Sequence, residues 1–416
     1  MTGPVAGPWT DAELDGWRIV GDEPADQAVA AYFAAVGTAS PGALMRSLVE
    51  HLDVPPEDRV PALAEFLTGA AQLPTWADPT RLAAGQAVFG NLIVHQFTAL
   101  YLASLPSAYA AARGVHVIWL TARLQDDPDR RLNETAQFLM DVTAPGAFAA
   151  AGVAIDRILH VRLMHAAVRW LIDHQDGVDR PAAADPTVRP AMPTWAASWG
   201  RPINQEDLAG TMSTFSTVVL TALRRSGVAL DAGAEEDFVH LWAVIGHLLG
   251  IHDELLPRDL EAATALERAI FSRQQEPSAV GRDLTTTLLG LLHDRVPRFV
   301  VALAPAMSRR YLGDRVADMV GVPKSRVAKP ILWLLVLFTR LTTRPDAKVP
   351  RWVSDRIGRR LMEGLLIASR HGERVPFAIP ESLGGVPSVV KVRAALAAGG
   401  AHPAPARPAS PPAGPR

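Results

Sequence analysis

Residues 156–174 read DRILHVRLMHAAVRWLIDH. Leu159, Val161, Val168 and Ile172 supply an apolar surface at helical spacing, and no proline or glycine interrupts the run. The same pattern, Ala-rich with apolar residues three and four apart, recurs along most of the chain. Period-two alternation bounded by turn residues is nearly absent. The fold class is therefore all-α, a single large multi-helix domain. Helices are expected over about 26–36, 41–52, 60–73, 79–104, 106–112, 115–123, 130–142, 149–174, 205–225, 234–249, 259–273, 280–292, 297–312, 329–341 and 353–367. Breakers such as Pro74, Pro106, Pro128, Pro145-Gly146, Pro257, Pro277 and Pro323 punctuate them.

The chain divides into a lead segment (1–20), a helical body (21–370), an extension (371–394) and a tail (395–416). The Asp/Pro/Ala-rich residues 176–193 are a candidate internal linker. The tail, rich in Ala and Pro, lacks the apolar bulk to offset its ordering entropy and is expected to be disordered.

Of the 416 residues, 49% are hydrophobic; 41 basic against 43 acidic side chains leave a net charge of −2. No basic excess exists to neutralise a phosphate backbone, so no nucleic-acid partner is expected. There is no cysteine, which removes disulfides, thiol nucleophiles and thiolate-held metals. The first residues have neither a basic n-region nor an apolar h-region, so a cytoplasmic location is expected. The most apolar runs, Asn91–Leu105 and Pro330–Phe338, fall short of the roughly 20 residues that a span requires. They read as buried helices, with residues 331–338 alternatively a patch for peripheral contact with lipid or a partner.

Without cysteine, the twelve histidines are the natural place to look for chemistry. None lies three residues after a glutamate, and no HExxH occurs. His240 and His247 can share a helix face, either as packing residues or with His252 as a site. Asp126-Asp127-Pro128-Asp129 faintly resembles the Asp-rich magnesium motif of isoprenoid synthases, but the spacing is wrong and no second metal box follows. Acidic residues there suit the start of the next helix. A colourless, magnesium-dependent enzyme of that kind is a remote alternative.

Arg162, His165 and Arg169 share one face of the 156–174 helix, at spacings of three and four. Desolvated cations demand anionic partners. Two readings stand: carboxylates of a neighbouring helix pair with the arginines, or the face receives a dianion such as haem, with two propionates and an iron open to the imidazole. Arg131 and Thr135, four apart on the preceding helix, also share a face and can orient a substrate, or equally be helix-start residues.

The chain resembles the family of latex clearing proteins and MpaB-type oxygenases, helical proteins that carry haem b. The likeness is distributed over GDEPADQAVAAYF at Gly21, LPTWADPTRLAAGQAVFGN at Leu73, SLPSAY at Ser104, RRLNETAQFLMDVTAPGAF at Arg130, VRLMHAAVRW at Val161, WGRPINQEDLAGTMSTFS at Trp199, LWAVIGHLLGIHDELLP at Leu241 and MSRRYLGDRVADMVGVP at Met307. It implies that His165 is the proximal haem ligand and metal-binding residue, that Arg162 and Arg169 flank it as cofactor-binding residues, and that Arg131 and Thr135 act on the substrate side. The haem would then be buried between helices, with dioxygen as co-substrate and room for a redox partner.

Two departures stand out. A lysine before the motif threonine can cap the distal iron position in the rubber-cleaving enzymes, but Glu134 stands here. The distal glutamate of an earlier helix has no counterpart, since no Glu lies between Glu65 and Glu134. Glu134 is the nearest carboxylate base, and His95, Gln96 or His116 are alternatives. The resemblance thus implies a haem b-dependent oxygenase acting on a lipophilic, isoprenoid-like small molecule by C=C cleavage or a related oxidation. A haem-binding or all-helical accessory protein without turnover is the alternative.

Overall fold

Residues 156–174 lie within one unbroken helix, Ala154–His174. The structure, a computed structural model, describes residues 9–343 apart from 38–43, 46, 49–51, 53–57, 124–127, 151, 175–177, 293–297 and 326–328. The expected helix at 353–367, the extension, the tail and the Asp126-Asp127 pair lie outside the described residues.

In chain order the helices used below are α1 (Asp11–Arg18), α2 (Glu23–Val36), α3 (Pro61–Ala70), α4 (Pro79–Asn91), α5 (Ile93–Ala99), α6 (Leu105–Tyr109), α7 (Val115–Arg123), α8 (Pro128–Val142) and α9 (Ala154–His174). They continue with α10 (Gln205–Phe215), α11 (Thr217–Ser226), α12 (Ala232–Leu248), α13 (Leu260–Gln274), α14 (Ala279–Leu291), α15 (Arg298–Leu312), α16 (Asp314–Met319) and α17 (Lys329–Thr342). No strand occurs among the described residues, which confirms the all-α class. Starts follow local chemistry: Thr10 and Glu13 form a capping box on α1, while Asp78, Asn204, Asp231, Asp259 and Ser278 each accept a backbone N–H.

Two expected helices are broken. The run 205–225 divides at Ser216, where the backbone leaves the helical region at φ −102°, ψ −87°. Ser213, Thr214, Ser216 and Thr217 all turn their hydroxyls back onto carbonyls three or four residues earlier, which loosens and bends a helix. The run 79–104 bends by 83° at Leu92 and continues through α5 into a π turn, Leu100–Ser104, before α6. No single helix among the described residues is long and apolar enough to cross a membrane.

Helix α4 packs along α12. Gly85 permits the approach, since a Cβ there would stand 2.5 Å from the Asp237 carbonyl oxygen and 2.8 Å from Leu241 Cβ. Helix α9 packs on α2, α8 and α12. The N-terminal α1 is pinned by a buried ion network, in which Arg18 donates to Glu206 at 3.0 Å and to Asp207 at 3.1 Å. Arg273 lies 3.1 Å from Glu206 and Gln274 donates to it at 2.8 Å. Burial pushes the Glu206 carboxyl up, and the two guanidinium groups oppose that rise.

Residues 178–199 double back on themselves: the Asp179 N–H donates to Pro193 O, Trp195 N–H to Asp179 O and Trp199 Nε1 to Ala184 O. This connection between α9 and α10 is tied by backbone bonds along its length. Helix α17 departs from the expected core helix. Leu332 is buried, but Trp333, Leu334 and Phe338 are 64%, 58% and 65% exposed among the described residues.

Candidate functional site

His165 is half-buried in the middle of α9. Helix α8 packs against α9 and brings the second set of residues alongside. Glu134 is buried at 4% exposure and Thr135 is half-buried. Arg131 lies one turn before Thr135 on the same helix; its side chain is outside the described residues. The two helices singled out by spacing are therefore neighbours.

The two arginines flanking His165 find partners on α2. Arg162 donates to Asp22 from Nε at 2.6 Å and from Nη2 at 2.8 Å; its Nη1 lies 3.5 Å from the Leu248 carbonyl, and Phe66 covers the guanidinium at 5.2 Å. Arg169, 1% exposed, donates from Nε to Asp26 at 2.7 Å and from Nη1 to the Ile203 carbonyl at 3.1 Å. The carboxylates of a neighbouring helix thus match both charges, the first of the two readings given above. Every nitrogen of the Arg162 guanidinium thus faces an acceptor within the protein, and the propionate role implied for it by the resemblance stays a proposal. Arg169 differs: its Nη2 is buried and no acceptor reaches it.

Sequence reasoning missed these acids as partners. Asp22 and Asp26 stand four apart in GDEPADQ, one turn apart at the start of α2, and that spacing was the available signal. Ile203, the acceptor for Arg169, is a β-branched residue at φ 51°, a position that only a well-determined surrounding sustains. Arg162 also lines a cleft of about 520 Å³ with Asp22, Glu65, Phe66, Gln205 and His247.

Several other described histidines have partners within the fold. His240 Nε2 accepts the Asp78 N–H at 3.0 Å and is held neutral, with burial as the main cause of a pKa lowered to about 4. His247 and His252 pair with Asp253 and Glu254, and Trp76 stacks edgewise on His240 and His247. His116 is fully buried against Trp199 and donates from Nε2 to the Pro186 carbonyl at 3.1 Å, which leaves Nδ1 as the bare nitrogen. Burial lowers the pKa of both His95 and His116. No cluster of three or more metal-ligating side chains occurs among the described residues.

The donors on α9 fit haem. His165 offers an imidazole, and Arg169 offers a buried N–H for an anionic group on the same helix face. Comparisons with known proteins give the family. The catalytic domain of the family described as "ER-bound oxygenase mpaB/B'/Rubber oxygenase" matches residues 86–343. A rubber oxygenase of Streptomyces sp. (strain K30) is 28% identical over 371 residues, 87% of this chain and 86% of that protein. The structure of latex clearing protein in the closed state superposes with a TM-score of 0.66 at 25% identity, covering 90% of this chain and 96% of the other.

Proposed function

Because the chain belongs to the family of mpaB-type and rubber oxygenases, and is therefore an oxidoreductase, we propose that it is a haem b-dependent oxygenase of a lipophilic, unsaturated, isoprenoid-like small molecule. The observation that carries the reading is the pairing of α8, with Glu134 and Thr135, against α9, with His165. His165 would hold the iron and Arg169 would donate its remaining N–H to a propionate. Bound there, haem b supplies the redox chemistry with dioxygen that no side chain of this protein can perform. Cleavage of one C=C bond by one dioxygen gives two carbonyl groups and balances without an outside reductant; a hydroxylation would require a redox partner.

The protein's own contribution is orientation, exclusion of water and proton handling. Glu134, buried on α8, is assigned the role of proton carrier. Arg131 and Thr135 are assigned to positioning the substrate or bound oxygen. Asp22 and Asp26 fix Arg162 and Arg169, and with them the face that presents His165.

An absorption spectrum with a pyridine haemochrome assay tests this directly. One haem b per chain in the wild type, with a soluble His165→Ala variant lacking the Soret band, is the expected result. A colourless wild type after expression with haem precursor, or full haem retention in His165→Ala, would overturn it. Arg131→Ala is expected to keep the haem and lose turnover.

A further inference from the structure

Gln96 on α5 has no exposed surface, and neither its Nε2 nor its Oε1 meets a hydrogen-bond partner. Ser104, eight residues on at the end of the π turn, is 1% exposed, and its Oγ is likewise unpartnered. Gln96 lies in α5 and Ser104 closes the π turn that continues it, so three orphaned polar atoms fall within this one bent segment. Each unmade buried hydrogen bond costs about 1–3 kcal/mol.

The rest of the fold shows that such groups are normally satisfied. Gln86 donates to Val142 and Ala144 carbonyls, and Gln205 donates to Gly21 and Gly250 while accepting from His252. Gln274 donates to Glu206, and Gln275 donates to Ser107. Gln274 Oε1 also lacks a partner, but Gln96 is the one of these buried amides that lacks a partner at both of its polar atoms. Ile93, three residues before Gln96, and Leu100, four after it, are both buried, and the adjacent Phe97 packs edge-on to Phe89 at 5.9 Å. The same core cluster contains Ile93 and Leu100 beside Leu139 and Met140 of α8 and Ile158 of α9. A π turn within a helix is itself frequent at functional sites.

We propose that Gln96 and Ser104 form a specificity-determining polar wall that takes an uncharged oxygen group, a hydroxyl or carbonyl, on an otherwise lipophilic substrate. The amide and hydroxyl together offer donors and acceptors but no charge, which suits an alcohol, aldehyde or ketone rather than a carboxylate or phosphate. The inference rests on the oxygenase reading above and narrows its substrate from isoprenoid hydrocarbons to oxygen-bearing isoprenoids. A buried group kept unsatisfied at a cost to stability is what a binding function requires.

The test compares geranylgeraniol with the hydrocarbon squalene by oxygen uptake, in wild type, Gln96→Leu and Ser104→Ala. The wild type is expected to favour the alcohol in kcat/KM by at least tenfold, and Gln96→Leu to lose that ratio while melting no lower than wild type. Ser104→Ala, a smaller change, should lose part of it. An alcohol-to-hydrocarbon ratio unchanged in both variants overturns the proposal, as does a large drop in melting temperature in Gln96→Leu with the ratio intact in Ser104→Ala. If wild type oxidises neither compound, the oxygenase substrate reading fails on its own. The thermal shift given by geranylgeraniol in wild type against Gln96→Leu then decides the inference: a shift confined to wild type supports it, and equal or absent shifts overturn it.

Discussion

Arg162 grips both oxygens of Asp22, with Nε–Oδ2 at 2.6 Å and Nη2–Oδ1 at 2.8 Å, and so joins the start of α2 to the middle of α9. The planar guanidinium matches the carboxylate in a fork that a lysine cannot reproduce. Asp22 is 4% exposed, so removing it strands a mostly buried cation. Asp22→Ala is expected to cost about 3 kcal/mol in urea denaturation, and Arg162→Lys a substantial part of that. A cost of Asp22→Ala below about 1 kcal/mol would mean that the pair does not hold α2 to α9.

The crossing of α4 and α12 depends on Gly85. Replacing Gly by Ala inside a helix gains up to about 1 kcal/mol in propensity, but the added Cβ would stand 2.5 Å from a backbone oxygen, which cannot rotate away. The clash is expected to win, so Gly85→Ala should lower the melting temperature by several degrees. Gly290→Ala on α14 has nothing within 4 Å of its Cβ and should raise stability by up to about 1 kcal/mol. Calorimetry on the two variants tests the contrast in sign.

Glu134 carries the proton in the proposed reaction. Glu134→Gln preserves the shape and removes the basic carboxylate, and general-base contributions are about 100- to 10,000-fold. The variant is expected to bind haem normally and to lose kcat within that range. Full turnover in Glu134→Gln would move the base elsewhere, with His116 and its bare Nδ1 next in order.

Much of this was legible in the residues. The 3.6 periodicity and the near absence of alternation gave the all-α class, and two sets of four- and three-residue spacings picked out α8 and α9, which pack together. Spacing could not decide who neutralises Arg162 and Arg169, because the answer lies 140 residues earlier, in Asp22, and 143 earlier, in Asp26. The break at Ser216 was hidden because its cause is side-chain hydroxyls competing for backbone carbonyls, which hydrophobic period does not register. Helix α17 misled in the opposite sense. Its apolar content reads as core, yet among the described residues Leu332 is buried while Trp333, Leu334 and Phe338 are exposed.

His240 makes the protein acid-sensitive in a defined window. Its Nε2 accepts the Asp78 N–H at the start of α4, and burial first, then Arg81, hold its pKa at about 4 against an ordinary 6.5. Above pH 6.5 the imidazole is neutral in both folded and unfolded chains, and its contribution is intact. As pH falls from 6.5 towards 4, the unfolded chain takes up a proton that the folded chain refuses, and stability is lost progressively. The full difference corresponds to about 3 kcal/mol, with His95 and His116 adding losses of the same sign. His240→Gln keeps an acceptor for the Asp78 N–H and cannot be protonated. Urea midpoints measured from pH 7.5 to 4.5 should therefore fall less steeply in His240→Gln than in wild type, although the variant starts lower at pH 7.5 because the amide fills the site less well. Parallel slopes in the two proteins would show that His240 titrates normally and that the acid sensitivity has another source.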